Sequence, residues 1–286
     1  MMPLAVLALS EVLTLLPLPF TQLGATCAAA ERLNSVERAG RADTGTQQQV
    51  LGDTALAVQL VDVGLRYPGA LTSALDSVTL ELPPGARLAL CGVSGAGKSS
   101  VAALLTRRVS ASRGKVLIDG LPVEQIQERS LRERVALLGQ RIDLFQDSLG
   151  ANLRLAEPEA SDARLWQALE WAELKEWAVG LPAGLETPLG EGGSQLSSGQ
   201  ARRVALARLW LRNPGLVILD EPFAGLDTGT LMRLKPKLDN WLDGRSVMYL
   251  VHQLDGGMLD PPGVSLIGRL VEGRLQDCAM PEYLSG

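Results

Sequence analysis

The run Gly92-Val93-Ser94-Gly95-Ala96-Gly97-Lys98-Ser99 sets glycines where a backbone must wrap tightly and ends on a lysine and a hydroxyl. Between a strand ending at Cys91 and a helix beginning near Lys98, such a loop turns its N–H groups inward as a nest for phosphate. Lys98 is then placed for the β and γ phosphates of a nucleoside triphosphate, and Ser99 for a Mg²⁺ ion held through its hydroxyl. Average residue frequencies give this spacing by chance in roughly one chain in a hundred of this size. Two carboxylates, Asp220-Glu221, follow the apolar run LVIL directly. At the carboxyl end of a buried strand they suit separate tasks, Asp220 for the metal and Glu221 as general base toward an attacking water. Alone, the pair would equally be a helix cap. The single histidine, His252, follows the apolar run SVMYLV, at another strand end near the same chemistry. There it would hydrogen-bond the γ-phosphate and hold base and water in register. Leu196-Ser197-Ser198-Gly199-Gln200 opens a helix with small residues, a second anion-binding helix end. Two such ends in one chain suit an antiparallel dimer, each second site closing over the other chain's nucleotide.

These residues need a scaffold, and the pattern of the chain supplies one. The segments AVQLVDVGLRY (57–67) and SVTLELPPG (77–85) alternate with period two, as antiparallel strands do. RLALC (87–91), LVIL (216–219) and SVMYLV (246–251) are short apolar runs, the mark of buried strands in an α/β sheet. From about 160 to 212 the texture is helical, and Trp166, Trp171 and Trp177 fall there as helix-packing residues. The tail from Ser265 to Leu275 reads as a hairpin around Glu272 and Gly273.

Composition narrows the class. The chain has 286 residues, 46% hydrophobic and 21% charged, with a net charge of −5. That excludes disorder, a disulfide scaffold and a protein built chiefly to grip nucleic acid. Cys27, Cys91 and Cys278 are odd in number and widely spaced, so reduced thiols are expected. Mean hydropathy is +0.12 although only 4% of residues are aromatic, which points to one concentrated apolar segment. It lies in residues 1–30, where Glu11 is the only charged side chain. A secretory signal or lipoprotein leader would need a basic residue ahead of it, and the first is Arg32. Pro17, Pro19 and Glu11 interrupt the run, as in a buried helix of a soluble domain, but its length matches one membrane crossing. The reading adopted is the end of a membrane helix, followed by a polar linker, GRADTGTQQQVLGDTA (40–55).

Taken in order, Tyr67, GVSGAGKSS through Ser100, Gln140, LSSGQ, LVILDE, AGLD and His252 resemble the ATP-binding cassette ATPases over residues 57–286. The resemblance implies an α/β P-loop core with an antiparallel β layer and a helical subdomain at about 145–212, all within 56–286. It implies ATP and Mg²⁺ as cofactors. Tyr67 matches the aromatic residue that stacks on adenine, and Gly92, Ser94, Gly95, Ala96, Gly97, Lys98, Ser99 and Ser100 match the phosphate loop. Gln140 matches the glutamine that contacts Mg²⁺ and the attacking water. Ser197, Gly199 and Gln200 match the signature that binds the partner subunit's ATP, and Asp227 the aspartate at the dimer seam. Glu221, His252, Gln140 and Lys98 would carry catalysis, with Ser99, Gln140 and Asp220 around the metal. Ser198 stands in place of the usual signature glycine, close to the opposing phosphate, and Phe223 where threonine is common.

The resemblance narrows to exporters. AAAERLN (28–34) is similar to the cytosolic end of their last membrane helix, and Glu191 matches an acidic position that meets coupling helices. Residues 1–39 then correspond to the last membrane helix and its extension. The run from Ser10 to Asn34 looks most like CydC-type subunits of heterodimeric CydDC exporters, associated with moving cysteine or glutathione for cytochrome assembly. That implies a CydD-like partner subunit, a membrane domain, no nucleic acid, and a place on the cytoplasmic face of the bacterial inner membrane. The alternatives are a soluble cassette ATPase outside transport and a hydrolytically weak nucleotide-binding fragment.

Overall fold

The computed structural model describes residues 48–279. The apolar segment, most of the linker and Cys27 lie outside them, and no helix of the described residues is long and apolar enough to cross a membrane.

Two sheets organise the chain. The first is antiparallel, in the order β2-β1-β4-β5, from β1 (Val58–Leu65), β2 (Leu75–Leu82), β4 (Arg113–Ile118) and β5 (Leu121–Pro122). β1 and β2 bury Val58, Leu60, Leu80 and Leu82 at 3% exposure or less, the alternation expected of strands with one covered face. The second sheet has six strands in the order β10-β9-β3-β8-β7-β6. They are β3 (Arg87–Cys91), β6 (Val135–Leu138), β7 (Leu216–Asp220), β8 (Ser246–Val251), β9 (Leu266–Val271) and β10 (Arg274–Ala279). All pair in parallel except the β9/β10 hairpin, which turns at Glu272 and Gly273 as the sequence suggests. Every residue of β8 is buried, because elements pack on both faces, and period-two alternation is therefore absent.

Helix α1 (Lys98–Leu105) follows the glycine loop. Its Val101, Leu104 and Leu105 join one apolar cluster with the antiparallel sheet and with Leu88, Leu90, Ile218 and Met248 of the larger sheet. Helix α2 (Glu128–Arg134) leads into β6 without a glycine or proline between them. A helical subdomain follows, with α3 (Leu149–Arg154), α4 (Asp162–Trp171), α5 (Lys175–Val179) and α6 (Ser198–Arg212) around a separate cluster that includes Leu149, Leu165, Leu169, Leu185 and Val204. Trp166 and Trp177 pack against this cluster and Trp171 against two, the packing role read for them from the sequence. Helix α7 (Thr228–Leu242) covers the other face of the parallel sheet through Leu231, Leu234, Leu238 and Leu242. Cys91 and Cys278 are free thiols.

Candidate functional site

Parallel strands end on one edge, and that edge gathers the chemistry. β3 runs into the glycine loop, β7 into Asp220-Glu221, β8 into His252, and β6 into the loop bearing Gln140. Ser94, Gly95, Gly97, Lys98, Ser99, Ser100, Gln140, Asp220, Glu221 and His252 line one cleft of about 170 Å³. Gly92 and Ala96 shape the loop from behind. The Gly92 N–H donates to the Val251 and His252 carbonyls, and the Ala96 N–H donates to Val93 O at 3.1 Å. Gly97 has φ of +107°, and a Cβ there would lie 2.6 Å from Ala74 O, so the sharp entry into α1 requires glycine. Tyr67 stands at the rim, 38% exposed, with its hydroxyl 3.3 Å from Ser100 Oγ.

Lys98 is 9% exposed and donates from Nζ to the carbonyls of Gly92 (2.5 Å) and Val93 (3.1 Å). Burial lowers its pKa, against the raising influence of the Asp220 and Glu221 carboxylates. Burial likewise raises the Asp220 pKa, with Glu221 adding to it and Lys98 and Arg202 opposing. His252 Nε2 lies 3.4 Å from Glu221 Oε1, so the histidine and the proposed base sit in one hydrogen-bonding neighbourhood.

The metal can be tested against these donors. The Ser99 hydroxyl, the Gln140 amide and the Asp220 carboxylate line the same cleft and are hard oxygen ligands of the kind Mg²⁺ takes. A half-buried carboxylate whose pKa is raised by its surroundings is also one that a cation would relieve. Among the described residues no group of three His, Cys, Asp or Glu side chains could hold a metal. Mg²⁺ usually takes one or two carboxylates and completes its shell with water and substrate phosphates, so the donor set fits.

Other expected residues stand elsewhere. Ser197 caps α6 and forms a reciprocal capping box with Gln200, each side chain accepting from the other's backbone N–H. Gly199 is buried against the loop 224–227, where a Cβ would lie 2.8 Å from Gly225 O. Ser198 is exposed beside that loop, since a Cβ on Gly225 would meet Ser198 Oγ at 3.3 Å. Asp227 caps α7 by accepting from the Thr230 N–H at 2.9 Å, a bond that holds its carboxyl below the usual range. Ser197, Gly199, Gln200 and Asp227 therefore do not line the cleft of Lys98. Glu191 is exposed in a short 3₁₀ turn, Glu191–Gly193. Phe223 is buried beneath the parallel sheet, an apolar role that threonine would fill less well.

One residue that the sequence reading passed over joins these parts. Arg202 is 5% exposed, and its guanidinium donates to the carbonyls of Asp220 (3.0 Å), Glu221 (2.7 Å) and Gln140 (3.1 Å). The signal was available, because Arg202 shares a buried helix face with Gly199, Leu206 and Leu209. Glu221 itself has φ of +47°, a conformation that costs a non-glycine residue about 1–3 kcal/mol. The Glu221 N–H donates to Leu250 O, and Arg202 holds its carbonyl.

A family model described as "ABC transporter" matches residues 75–224. An ATP-dependent lipid A-core flippase of Chromobacterium violaceum is 37% identical over 228 residues, 79% of this chain and 39% of that protein. ABC transporter B family member 4 of Dictyostelium discoideum is 32% identical over 259 residues, 90% of this chain and 33% of that one. The solved structure of a bacterial Atm1-family ABC exporter with ATP bound aligns at a TM-score of 0.78 and 30% identity, covering 85% of this chain and 41% of that chain. The chain thus spans between a third and about two fifths of the proteins it matches.

Proposed function

We propose, from the premise that this chain belongs to the ABC transporter family and is an ATPase domain of it, that it couples ATP hydrolysis to export across a membrane. The observation that carries this reading is the convergence of Lys98, Ser99, Gln140, Asp220, Glu221 and His252 on one cleft at the ends of parallel strands. The glycine loop from Gly92 to Ser100 cradles the phosphates with its amides, Lys98 neutralises them, and the ring of Tyr67 stacks on adenine. Ser99, Gln140 and Asp220 would hold Mg²⁺, which when bound supplies positive charge toward the β and γ phosphates. Glu221 takes the proton of the attacking water, while His252 keeps that carboxylate and the γ-phosphate in register.

Ser197, Gly199, Gln200 and Asp227 lie outside the Lys98 cleft, which supports their closing over the nucleotide of a second cassette, in a head-to-tail pair. The relatives at 37% and 30% identity are a flippase and an exporter, which supports a membrane domain and the cytoplasmic face of a bacterial inner membrane. Residues 1–39 are read as the end of that membrane domain and 56–286 as the nucleotide-binding domain.

Cargo and partner rest on less of the chain. The N-terminal resemblance supports a thiol such as cysteine or glutathione and a CydD-like partner, whereas the flippases among the relatives support a lipid. Stimulation of ATP turnover by a thiol or by a lipid A-core glycolipid distinguishes the two.

Glu221→Gln tests the assignment of the base. ATP binding should persist while turnover falls by about 10²-fold or more, with a nucleotide-bound dimer accumulating on size exclusion. Unchanged turnover would remove Glu221 from that role.

A further inference from the structure

Away from the nucleotide cleft, a second cleft of about 390 Å³ lies where helices α1 and α6 both end. Its floor includes Leu131 and Val135, and its walls carry the guanidiniums of Arg107, Arg108, Arg132 and Arg212 against one carboxylate, Glu128. In a chain with a net charge of −5, that is a local concentration of positive charge.

Part of this charge has internal work. Arg107 donates to Ile126 O at 2.9 Å and approaches Glu128 at 3.9 Å, and Arg132 is bonded to Glu128 one turn away. Arg108 and Arg212 are different, because among the described residues neither side chain donates a hydrogen bond. Arg212 is partly buried, and the charges acting on it are Glu133 and Arg132. Glu133 is itself engaged by Arg129 at 2.8 Å. Guanidiniums near helix C-termini are favoured by the helix dipole, and all four arginines lie at such ends: Arg107 and Arg108 just past α1, Arg132 in the last turn of α2 and Arg212 in that of α6. The dipole favours the charges there but pairs none of the donors of Arg108 and Arg212, two guanidiniums that share one concavity. A planar fork of donors matches the oxygens of phosphate better than any other common ligand.

We propose that this cleft binds a small phosphate-bearing anion, held chiefly by Arg108 and Arg212, at a site separate from the nucleotide. Helix α1 has eight residues, so its ends lie on the order of 12 Å apart: the Lys98 end faces the nucleotide cleft and the other end faces this one. An anion here would be held by the arginines against the negative ends of the two helices whose N-termini carry the glycine loop and the signature. The site does not depend on the exporter reading.

The test uses the full chain saturated with Mg²⁺ and a non-hydrolysable ATP analogue, so that the glycine loop is filled, with inorganic phosphate as the probe. Phosphate should raise Tm in the parent. Arg108→Gln and Arg212→Gln should each bind it about tenfold more weakly, and Arg274→Gln on the distant hairpin should bind as the parent does. Arg108 is exposed, so its variant carries the test even where Arg212→Gln folds poorly. A parallel arm compares sedimentation with phosphatidylglycerol and phosphatidylcholine vesicles. Selective binding to the former, lost in both variants, assigns a lipid headgroup as the source, and phosphate binding alone assigns a free anion. If the parent binds neither probe, or both variants bind like the parent, the proposal is overturned.

Discussion

Replacing Arg202 by methionine keeps most of the side-chain volume and deletes three bonds, to the carbonyls of Glu221 (2.7 Å), Asp220 (3.0 Å) and Gln140 (3.1 Å). Each charged hydrogen bond contributes about 1.5–3 kcal/mol net, while the variant recovers part of the cost of burying a guanidinium. Burial already lowers the Arg202 pKa, so that cost is substantial and the loss of stability should be only about 2 kcal/mol. In a domain of this size that lowers Tm by roughly 4–8 °C. Turnover should suffer more. Glu221 sits at φ +47°, and without its carbonyl anchored a relaxation of about 1 Å would move the proposed base, a displacement that costs up to about 10²-fold. KM for ATP should stay within about threefold, because Arg202 is not among the residues lining the nucleotide cleft. Arg202→Lys, which keeps the charge and reaches fewer carbonyls, should fall between. Phosphate-release kinetics and thermal denaturation of the same preparations decide it. A variant with the expected fall in Tm but kcat within twofold of the parent would reduce Arg202 to a structural residue and refute the reasoning.

Asp220→Asn should raise the Tm of the nucleotide-free protein at neutral pH, because burial and Glu221 make an ionised carboxylate there unfavourable. The sign follows from a folded pKa above the unfolded one: the penalty is present above the folded pKa and fades as pH falls through it, so the variant's advantage should shrink in acid. The same variant should lose most of the extra stabilisation that Mg²⁺ adds to ATP, and an undiminished Mg²⁺ effect would take Asp220 out of the metal site. Tyr67→Ala should weaken ATP binding by about 5- to 150-fold, the worth of one base–aromatic stack, with Tyr67→Phe near the parent. Equal affinity for Tyr67→Ala and parent by calorimetry would place adenine elsewhere.

How much of this was legible in the sequence depends on whether the cause was local. The glycine loop is local, since the residues of the proposed phosphate nest are contiguous from Gly92 to Ser99 and a strand and helix flank them. β3, β7 and β8 were legible because each is an apolar run of about strand length ending at chemistry. β6 was not, because Val135–Leu138 follows the charged helix α2 with no breaker, and pairing with β7 is what ends the helix. Gln140 entered through family resemblance for the same reason, as nothing near it marks a strand end. The helical texture was visible from about 160 to 212, while the start near 145 came from the family resemblance and the separate apolar core was not visible. The expectations for residues 1–39 lie outside the described residues.

The least legible feature is also the one that links the two halves of the site. Residues 198–202 are only the first turn of α6, so Ser198 and Gly199 beside the 224–227 loop and Arg202 on the three carbonyls belong to one rigid piece. A helix turn cannot shift at one end and stay at the other without breaking its own hydrogen bonds. Whatever seats the α6 N-terminus therefore also sets the backbone at Gln140, Asp220 and Glu221. Sequence separations of 62, 18 and 19 residues hide that connection. It depends on a folded core that brings a buried arginine within 3.1 Å of carbonyls from two different strand ends. If α6 and the carboxylates moved independently, Arg202 would have to exchange its partners during turnover, and its three bonds could not all serve as fixed anchors.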